Sequence, residues 1–357
     1  MIGRIDSGRF DIAIPHRNWQ RALGDAFATL VCASPGEVVC IPGPSRAGKS
    51  LLIRRLVHLL FGECCFEETG LMPAVVVEAV NAGRHGGFST KAFTQRLLES
   101  VKHPLFSMRG HDLEDLLAMQ KMDRTTEATL RVALEHALTS RGTRYLFIDE
   151  AQHVRYATKD AQASLAVMDS WKCLAQTTGV VLVIVGAYPI LDIINKSPHL
   201  LGRNHQVHFP RYHANSEDIV AFGELLSKYS ELMNFDSSLS SLTDVAELMY
   251  EGSLGCIGLL KAWLKRVDAV ASYHGIPVTE ELLLSKRLTD NELREISAEI
   301  LSGERSLART SSRGRLSSVR EASSDKGAER PKPKGKPFQR KPTRSSAGNR
   351  TSGNDDE

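Results

Sequence analysis

The sequence lacks the long hydrophobic segments that carry a chain into or across a membrane. Its opening, MIGRIDSGRF, has no apolar stretch of the kind found in a secretory leader. Its longest apolar run, VVLVIVGAYPILDII at 180–194, is interrupted by Gly186, Pro189 and Asp192. We therefore expect no export, no membrane partner and a cytoplasmic location.

Cysteine pairs are also missing. The six cysteines, at positions 32, 40, 64, 65, 173 and 256, form no C-x-x-C motif, and most of them lie among apolar neighbours, as reduced core thiols do. This pattern argues against a disulfide framework. Cys64 and Cys65 are adjacent and could bind a metal ion, but no second pair accompanies them.

The net charge of +3 is small but unevenly distributed. Residues 303–357 carry 14 Lys and Arg against 7 Asp and Glu, whereas the remainder carries 31 against 35. This segment is rich in Ser, Gly and Pro, and such a composition cannot bury enough apolar surface to order the chain. We predict a disordered basic tail that attracts DNA phosphates or an acidic partner, or that serves only as a solubilising appendage.

Apolar runs alternate with helical patterns through the first two thirds of the chain. Five runs are compatible with buried parallel strands, at 38–41, 73–80, 145–149, 180–186 and 206–210. Strands that alternate with helices favour a parallel sheet covered on both faces. The predicted fold class is therefore α/β, with a five-stranded parallel sheet flanked by helices.

From about residue 215, helical patterns follow one another with no strand between them. Ser216 is followed by two acidic residues, which predicts a helix that begins there with a capping hydroxyl. The predicted organisation is an N-terminal linker and helix at 1–35, an α/β nucleotide-binding core at 36–212, a helical lid at 213–302 and the basic tail at 303–357.

Residues 43–50, GPSRAGKS, match G-x-x-x-x-G-K-[ST] between a strand pattern and a helix pattern. Gly43 and Gly48 allow the backbone N–H groups to wrap around phosphate, Lys49 would reach the β- and γ-phosphates, and the Ser50 hydroxyl would ligate Mg²⁺. The alternative is a glycine-rich turn before a helix. We expect ATP and Mg²⁺ as cofactors, and the predicted nucleotide-binding residues are Gly43, Pro44, Ser45, Arg46, Ala47, Gly48, Lys49, Ser50, Leu51 and Asp149.

The segment YLFIDEAQH at 145–153 ends an apolar strand with two carboxylates. A parallel strand delivers them beside the phosphate loop, so Asp149 can hold the magnesium shell through water and Glu150 can polarise an attacking water as general base. Two acids at a strand end are often only solvated. Together with GPSRAGKS they predict ATP hydrolysis, in the manner of ATP hydrolases with an added central strand.

Arg203 lies in SPHLLGRNHQVHF at 197–209, shortly before the fifth strand. A guanidinium there could reach the γ-phosphate of a neighbouring subunit, which would make hydrolysis depend on assembly. A lone arginine is otherwise a surface charge. The predicted catalytic residues are thus Lys49, Glu150 and Arg203.

With these parts in this order, residues 10–275 resemble AAA+ ATPases, and within them the TnsC/TniB family, the regulators of heteromeric DNA transposons including CRISPR-associated ones. The resemblance rests on GPSRAGKS, YLFIDEAQH, VGAYPIL, LLGRNHQVHFP and EGSLGCIGLLKAWL. It implies a bacterial protein that forms an ATP-bound homo-oligomer, a ring or a filament, around duplex DNA of any sequence. It also implies two protein partners, a transposase and a TniQ-type target adaptor, with ATP hydrolysis driving disassembly.

The chain departs from the AAA+ pattern at two positions. The fourth strand of such proteins usually ends in a polar residue, and Ala187 stands there. Many relatives carry a lid arginine in G-x-x-R, and Gly258 occupies that position, with Lys261 one helical turn further on. Because Lys is a weaker planar phosphate clamp than Arg, we expect slow hydrolysis.

The resemblance places DNA-facing loops after the second strand and after the DE strand. The predicted DNA-binding residues are Arg84, Lys91, Arg155 and Lys159. Lys and Arg that track the phosphate backbone need no base readout, although solvated loop charges are an equal alternative. Other classes remain open: an origin-recognition or loader ATPase, a signalling or scaffold P-loop NTPase without DNA and, more distantly, a small-molecule kinase.

Overall fold

The computed structural model describes residues 10, 14–63, 66–81, 86–106, 124–157, 161–197 and 204–312. The chain divides into two compact units, Met1–Thr310 and Ser311–Glu357, and nearly all described residues belong to the first. Within the described ranges, no helix has both the length and the apolar character needed to cross a bilayer.

An α/β core is followed along the chain by a set of helices. The core strands are β1 (Val38–Pro42), β2 (Ala74–Glu78), β3 (Tyr145–Asp149), β4 (Val181–Gly186) and β5 (Asn204–Gln206). The core helices are α1 (Arg17–Cys32), α2 (Lys49–Phe61), α3 (Phe66–Thr69), α4 (Thr90–Ser100), α5 (Glu127–Ser140), α6 (Ala161–Thr178) and α7 (Ile190–Ile194). The later helices are α8 (Ser216–Ser230), α9 (Ala246–Ser253), α10 (Ile257–His274), α11 (Glu280–Lys286) and α12 (Asp290–Ser312).

The five strands form one sheet in the order β2-β3-β4-β1-β5, and every pairing is parallel. The predicted α/β fold class is confirmed. Strand β4 lies between β1, which leads into the phosphate loop, and β3, which ends in the two carboxylates. Strand β4 is therefore the added central strand that is expected in ATP hydrolases with a second acid, here Glu150, after the carboxylate strand.

Both faces of the sheet are covered. Residues alternate along each strand, so that Val38 and Cys40 of β1 face one apolar cluster while Val39 and Ile41 face another. Helices α4, α5 and α6 cover the first face, whereas α1 and α2 cover the second. The carboxyl ends of the strands therefore meet at one edge, beside the start of α2.

Strand β5 is shorter and begins earlier than the predicted run at 206–210. Pairing with β1 covers Asn204–Gln206 only. The hydrogen bonds nevertheless continue, because Val207 N donates to Cys40 O at 2.8 Å and Phe209 N donates to Pro42 O at 2.9 Å. The predicted segment thus follows β1 past the end of the regular strand.

Helices α8 to α11, which we call the lid, have a core of their own. It includes Phe222, Leu226, Trp263 and Leu264, and the indole Nε1 of Trp263 donates to Leu283 O at 2.9 Å. The predicted cap at Ser216 is wrong by one residue. Asn215 is the N-cap of α8, since its side chain accepts from Asp218 N at 2.8 Å.

Helix α12 leaves the lid and packs on the core. Ile300 is buried in the core cluster, Gly303 lies against Tyr188, and Glu304 pairs with Arg211 at 2.8 Å. The helix extends to Ser312, so residues 303–312, which were assigned to the disordered tail, are helical. An amphipathic pattern with a buried stripe explains this order despite the basic composition.

Candidate functional site

The phosphate loop, residues 43–48, joins β1 to α2. Gly48 has a φ of 96°, in the left-handed region that favours glycine. Gly43 has no room for a side chain, because an added Cβ would lie 2.7 Å from Phe209 O. Both glycines therefore hold the loop in a shape whose N–H groups lead into the positive end of α2.

Lys49 lies in the first turn of α2 with 5% of its surface exposed. Its Nζ donates to Pro44 O at 2.7 Å and to Gly43 O at 3.3 Å. Burial lowers the Lys49 pKa, and the carboxylates of Glu150 and Asp149 act against that shift. The side chain is thus folded back onto the loop that it would leave to meet a phosphate.

Ser50 and Asp149 come together across the edge of the sheet. The Ser50 hydroxyl donates to Asp149 Oδ2 at 2.6 Å, although the two residues lie 99 positions apart. Asp149 Oδ1 accepts from the N–H of Glu150 at 2.9 Å. A hydroxyl and a carboxylate are oxygen donors that suit Mg²⁺, which usually keeps several waters and takes phosphate oxygens as well.

No cluster of three or more metal-ligating His, Cys, Asp or Glu side chains occurs in the described part of the chain. The Ser50–Asp149 pair fits a magnesium ion that takes its other ligands from water and phosphate. The adjacent Cys64 and Cys65 lie outside the described residues.

Glu150 follows β3 in a left-handed conformation, with a φ of 53°. A 3₁₀ helix, Ala151–Tyr156, begins directly after it. The Gln152 amide lies between two groups: Nε2 donates to Glu150 Oε2 at 2.5 Å, and Oε1 accepts from Ala187 N at 2.9 Å. The carboxylate predicted as general base is therefore held by Gln152, which is not among the predicted site residues.

A cavity of about 300 Å³ opens beside the phosphate loop, between the N-terminal segment and the lid. Its walls are mainly apolar, and its lining residues are Ile14, Pro15, His16, Trp19, Arg46, Ala47, Gly48, Leu51, Tyr229, Ile257, Gly258 and Lys261. The indole Nε1 of Trp19 is buried and has no hydrogen-bond partner. An apolar slot with one unsatisfied donor, adjoining a phosphate loop, fits the base and sugar of a nucleotide.

The neutral state of His16 suits this apolar wall. Burial lowers the pKa of His16 to about 4, and its Nδ1 lies 3.2 Å from the Tyr212 hydroxyl and 3.3 Å from Trp19 N. His16 is also the N-cap of α1. It therefore fixes the helix that carries Trp19 into the cavity.

The lid meets the phosphate loop by close backbone approach. A Cβ added to Gly258 would stand 1.5 Å from Arg46 O, inside any permitted contact. This packing explains why no arginine occupies position 258. Lys261, one turn along α10, lines the cavity next to Gly48.

Only part of the predicted site can be placed. Arg203, Arg84 and Lys159 lie outside the described residues. Lys91 is in the first turn of α4, and the exposed Arg155 lies in the 3₁₀ helix, where its Nη2 lies 2.5 Å from the Tyr156 hydroxyl. The two loops are adjacent, because Phe88 N donates to Tyr156 O at 2.9 Å.

A protein-family model described as an AAA domain matches residues 33–194. This part of the chain is similar to AAA domains. The match includes the phosphate loop, the two carboxylates and the end of β4. No curated protein matches the chain.

Solved structures are similar to this chain at low sequence identity. The ORC2 protein of Aeropyrum pernix in its ADP form is 16% identical, with 79% of this chain and 72% of that chain covered and a TM-score of 0.51. Its ADPNP–ADP complexes give 14% identity, coverages of 80% and 73% and a TM-score of 0.50. A Walker-type ATPase of Pyrococcus abyssi is 16% identical, with coverages of 85% and 81% and a TM-score of 0.46.

Proposed function

We propose that this chain is an ATP-hydrolysing, DNA-binding regulator of the TnsC/TniB kind. It would oligomerise on duplex DNA in its ATP state and link a TniQ-type target adaptor to a transposase, with hydrolysis driving disassembly. The observation that carries the proposal is the convergence of Lys49, Ser50, Asp149 and Glu150 beside a lid-covered cavity. The AAA domain match supports it.

ATP would bind with its base in the cavity and its phosphates on the loop. The buried Nε1 of Trp19 is available to an acceptor on the base or ribose. Lys49 would exchange its bonds to the Gly43 and Pro44 carbonyls for bonds to the β- and γ-phosphates. This exchange couples phosphate binding to a change in the loop.

Magnesium would be held by the Ser50 hydroxyl and, through water, by the Asp149 carboxylate. Such an ion neutralises charge on the phosphate oxygens during transfer. The short bond between the two side chains keeps both oxygen donors at one point of the site.

Glu150 would act as general base. Its carboxylate takes a proton from water while the water oxygen bonds to the γ-phosphorus and the bond from that phosphorus to the bridging oxygen of ADP breaks. The products are ADP and inorganic phosphate, and no oxidant or further reactant is required. Lys49 stabilises the charge that develops on the transferred group.

DNA would contact the loops after β2 and β3. Lys91 and Arg155 belong to segments that a backbone hydrogen bond between Phe88 and Tyr156 holds together, and Arg84 and Lys159 are further candidates in the same loops. Cations that contact only phosphates bind any sequence, with an affinity that falls steeply as salt rises.

Arg203 would serve as a finger toward the γ-phosphate of a neighbouring subunit, so that hydrolysis requires assembly. Arg203→Ala should then lose turnover while the ATP affinity of the monomer is unchanged. Equal losses in both quantities would identify a structural role instead.

An origin-recognition or loader ATPase is the second candidate, favoured by the fold likeness to the ORC2 protein of Aeropyrum pernix. The described chain after α10 differs from a separate DNA-reading module, because it forms α11 in the lid and α12 against the core. Binding that requires one DNA sequence would favour this candidate, whereas binding to any duplex favours the first.

The test measures assembly on duplex DNA of several unrelated sequences with ATP, with ADP or with a slowly hydrolysed analogue, by electron microscopy and sedimentation. We expect polymers or rings with ATP on every duplex and none with ADP. Glu150→Gln should bind ATP normally and prolong the DNA-bound state. A parent that stays monomeric with ATP and DNA, or a Glu150→Gln variant that hydrolyses ATP like the parent, would contradict the proposal.

A second arm addresses the DNA loops and the partners. Arg155→Ala should weaken DNA binding and reduce its salt dependence, while Arg55→Ala, an exposed arginine on α2, is the matched control. Binding of the purified assembly to a transposase and to a TniQ-type adaptor, only in the ATP state, would identify the transposition role. DNA binding without either partner would favour the loader candidate, and no effect of DNA would favour a signalling scaffold.

A further inference from the structure

The Gln152 side chain connects the carboxylate of Glu150 to the backbone that directly follows β4. Gln152 Nε2 donates to Glu150 Oε2, and Gln152 Oε1 accepts from the N–H of Ala187. The two partners fix the orientation of the amide, because a carboxylate accepts only from the NH₂ group and a backbone N–H donates only to the oxygen. Both ends of the amide are thereby satisfied.

The end of β4 is shaped to receive this amide. A Cβ added at Gly186 would lie 2.6 Å from Gln152 Oε1 and 3.4 Å from Gln152 N. Ala187, the next residue, contributes a methyl group and its backbone N–H. Gly186 and Ala187 therefore contribute no polar side chain at the end of β4. They offer the Ala187 N–H as a donor and leave space for the Gln152 side chain, which follows the neighbouring strand β3.

Glu150 itself is in a conformation that needs support. Its φ of 53° lies in the left-handed region, which is uncommon for residues other than glycine, and its N–H is bonded to Asp149 Oδ1. The backbone is thus fixed close to Asp149, while the carboxylate at the end of the side chain is bonded to Gln152.

We propose that Gln152 is the positioning residue for Glu150, which it holds toward the attacking water by anchoring its own amide on the backbone of Ala187. The proposal rests on the assignment of Glu150 as the general base. In this chain the polar group expected at the end of the fourth strand is supplied by the segment after the third strand. Gln152 acts through Glu150, so it is not itself a catalytic residue.

The first test is Gln152→Met, which keeps the length and volume of the side chain and removes both hydrogen bonds. We expect the kcat of ATP hydrolysis to fall by up to about 100-fold, the effect of a misplaced catalytic group, with the Kd for ATP within about twofold of the parent. Gln176→Met, at an exposed position on α6, is the control and should hydrolyse ATP like the parent.

The second test is Gln152→Glu, which retains an acceptor for the Ala187 N–H but sets a carboxylate beside Glu150. The donor to Glu150 is lost while the bond to the Ala187 N–H is kept, so kcat should again fall by up to about 100-fold with the Kd for ATP within about twofold of the parent. A side chain that only stabilised the fold would lower the midpoint of thermal unfolding and leave the kcat of the folded enzyme unchanged.

The outcomes separate this inference from the proposed function. If Glu150→Gln is trapped in the ATP state while Gln152→Met hydrolyses ATP like the parent, the positioning role is overturned and the proposed function stands. If Glu150→Gln hydrolyses ATP normally, the proposed function itself fails. If Gln152→Met does not fold, Gln152→Glu decides, and a kcat equal to that of the parent overturns the role.

Discussion

The core and the lid approach the same phosphate loop in different ways. The core presents side chains there: Lys49 is buried against the loop, and the Ser50–Asp149 pair lies beside it. The lid presents bare backbone, because Gly258 packs directly on Arg46 O. The core therefore brings charged and polar side chains to the loop itself, whereas the lid contacts the loop through a backbone approach too tight for one added methyl group and contributes Lys261 to the adjoining cavity.

The largest expected effect is on the core side of this comparison. Lys49→Ala removes a buried cation that would make charge-assisted bonds to two phosphates, so ATP affinity should fall by about 100-fold or more. Isothermal titration calorimetry measures the affinity. Lys228→Ala, at an exposed position in the lid, should bind ATP like the parent. An affinity within threefold of the parent for Lys49→Ala would show that the lysine does not meet the nucleotide.

On the lid side, Gly258→Ala should weaken ATP binding by about 5- to 150-fold, since overpacking typically costs about 1–3 kcal/mol. The added methyl group must push α10 away from the loop. Gly223→Ala in α8 is the matched control, because no atom lies within 4 Å of its added Cβ. If the two variants bind ATP equally well, close packing of the lid on the loop is not required for binding.

Lowering the pH should reduce the free energy of unfolding through one histidine in the core and one at the junction of the core with the lid. Burial lowers the pKa of His208 in the core and of His16 in the cavity wall to about 4 each. An unfolded histidine, with a pKa near 6.5, takes up its proton first as pH falls. The free energy of unfolding should therefore be unaffected above about pH 6.5 and fall between about 6.5 and 4, by about 1.4 kcal/mol per histidine at pH 5.5.

Chemical denaturation at pH 7.5 and 5.5 measures this fall. His208→Gln and His16→Gln should each reduce it, whereas His274→Gln, at an exposed position at the end of α10, should not. A fall of the same size in all three variants would assign the pH dependence to other groups.

The smallest expected effect concerns the cavity between the two regions. Trp19→Phe removes the unpartnered Nε1 and keeps most of the ring, so ATP affinity should fall by about 2- to 10-fold. Binding of inorganic tripolyphosphate, which has no base or sugar, is the control and should not change. Equal losses for both ligands would place Trp19 against the phosphates instead.

The sequence predicts the fold class and the centre of the site because these depend on local patterns. GPSRAGKS between a strand and a helix identifies the phosphate loop, and the parallel strand rule brings Asp149 beside Ser50. The predicted positions of the α8 N-cap and of the end of α12 are less accurate. A cap depends on which neighbouring side chain reaches an N–H, and the order of residues 303–312 depends on packing against Tyr188 and Arg211.

The cavity and the Gln152 bridge could not be predicted for a different reason. His16, Trp19, Tyr229 and Ile257 come from segments without a motif, and only the tertiary fold brings them together. Gln152 stands within YLFIDEAQH, but its partner Ala187, directly after β4, is 35 residues away. The glycine at 186, which leaves space for the amide, was the one signal available in the sequence.

Helix α12 gives the lid a tether to the sheet. Arg211 donates to Leu254 O in the lid segment and pairs with Glu304 of α12, while Gly303 seats on Tyr188 next to Ala187. Outward movement of the lid would either break the Arg211–Glu304 ion pair or displace the backbone after β4, to which the Gln152 amide is bonded. We therefore expect that the nucleotide is released and the Glu150 carboxylate, the proposed general base, loses its fixed position in the same step.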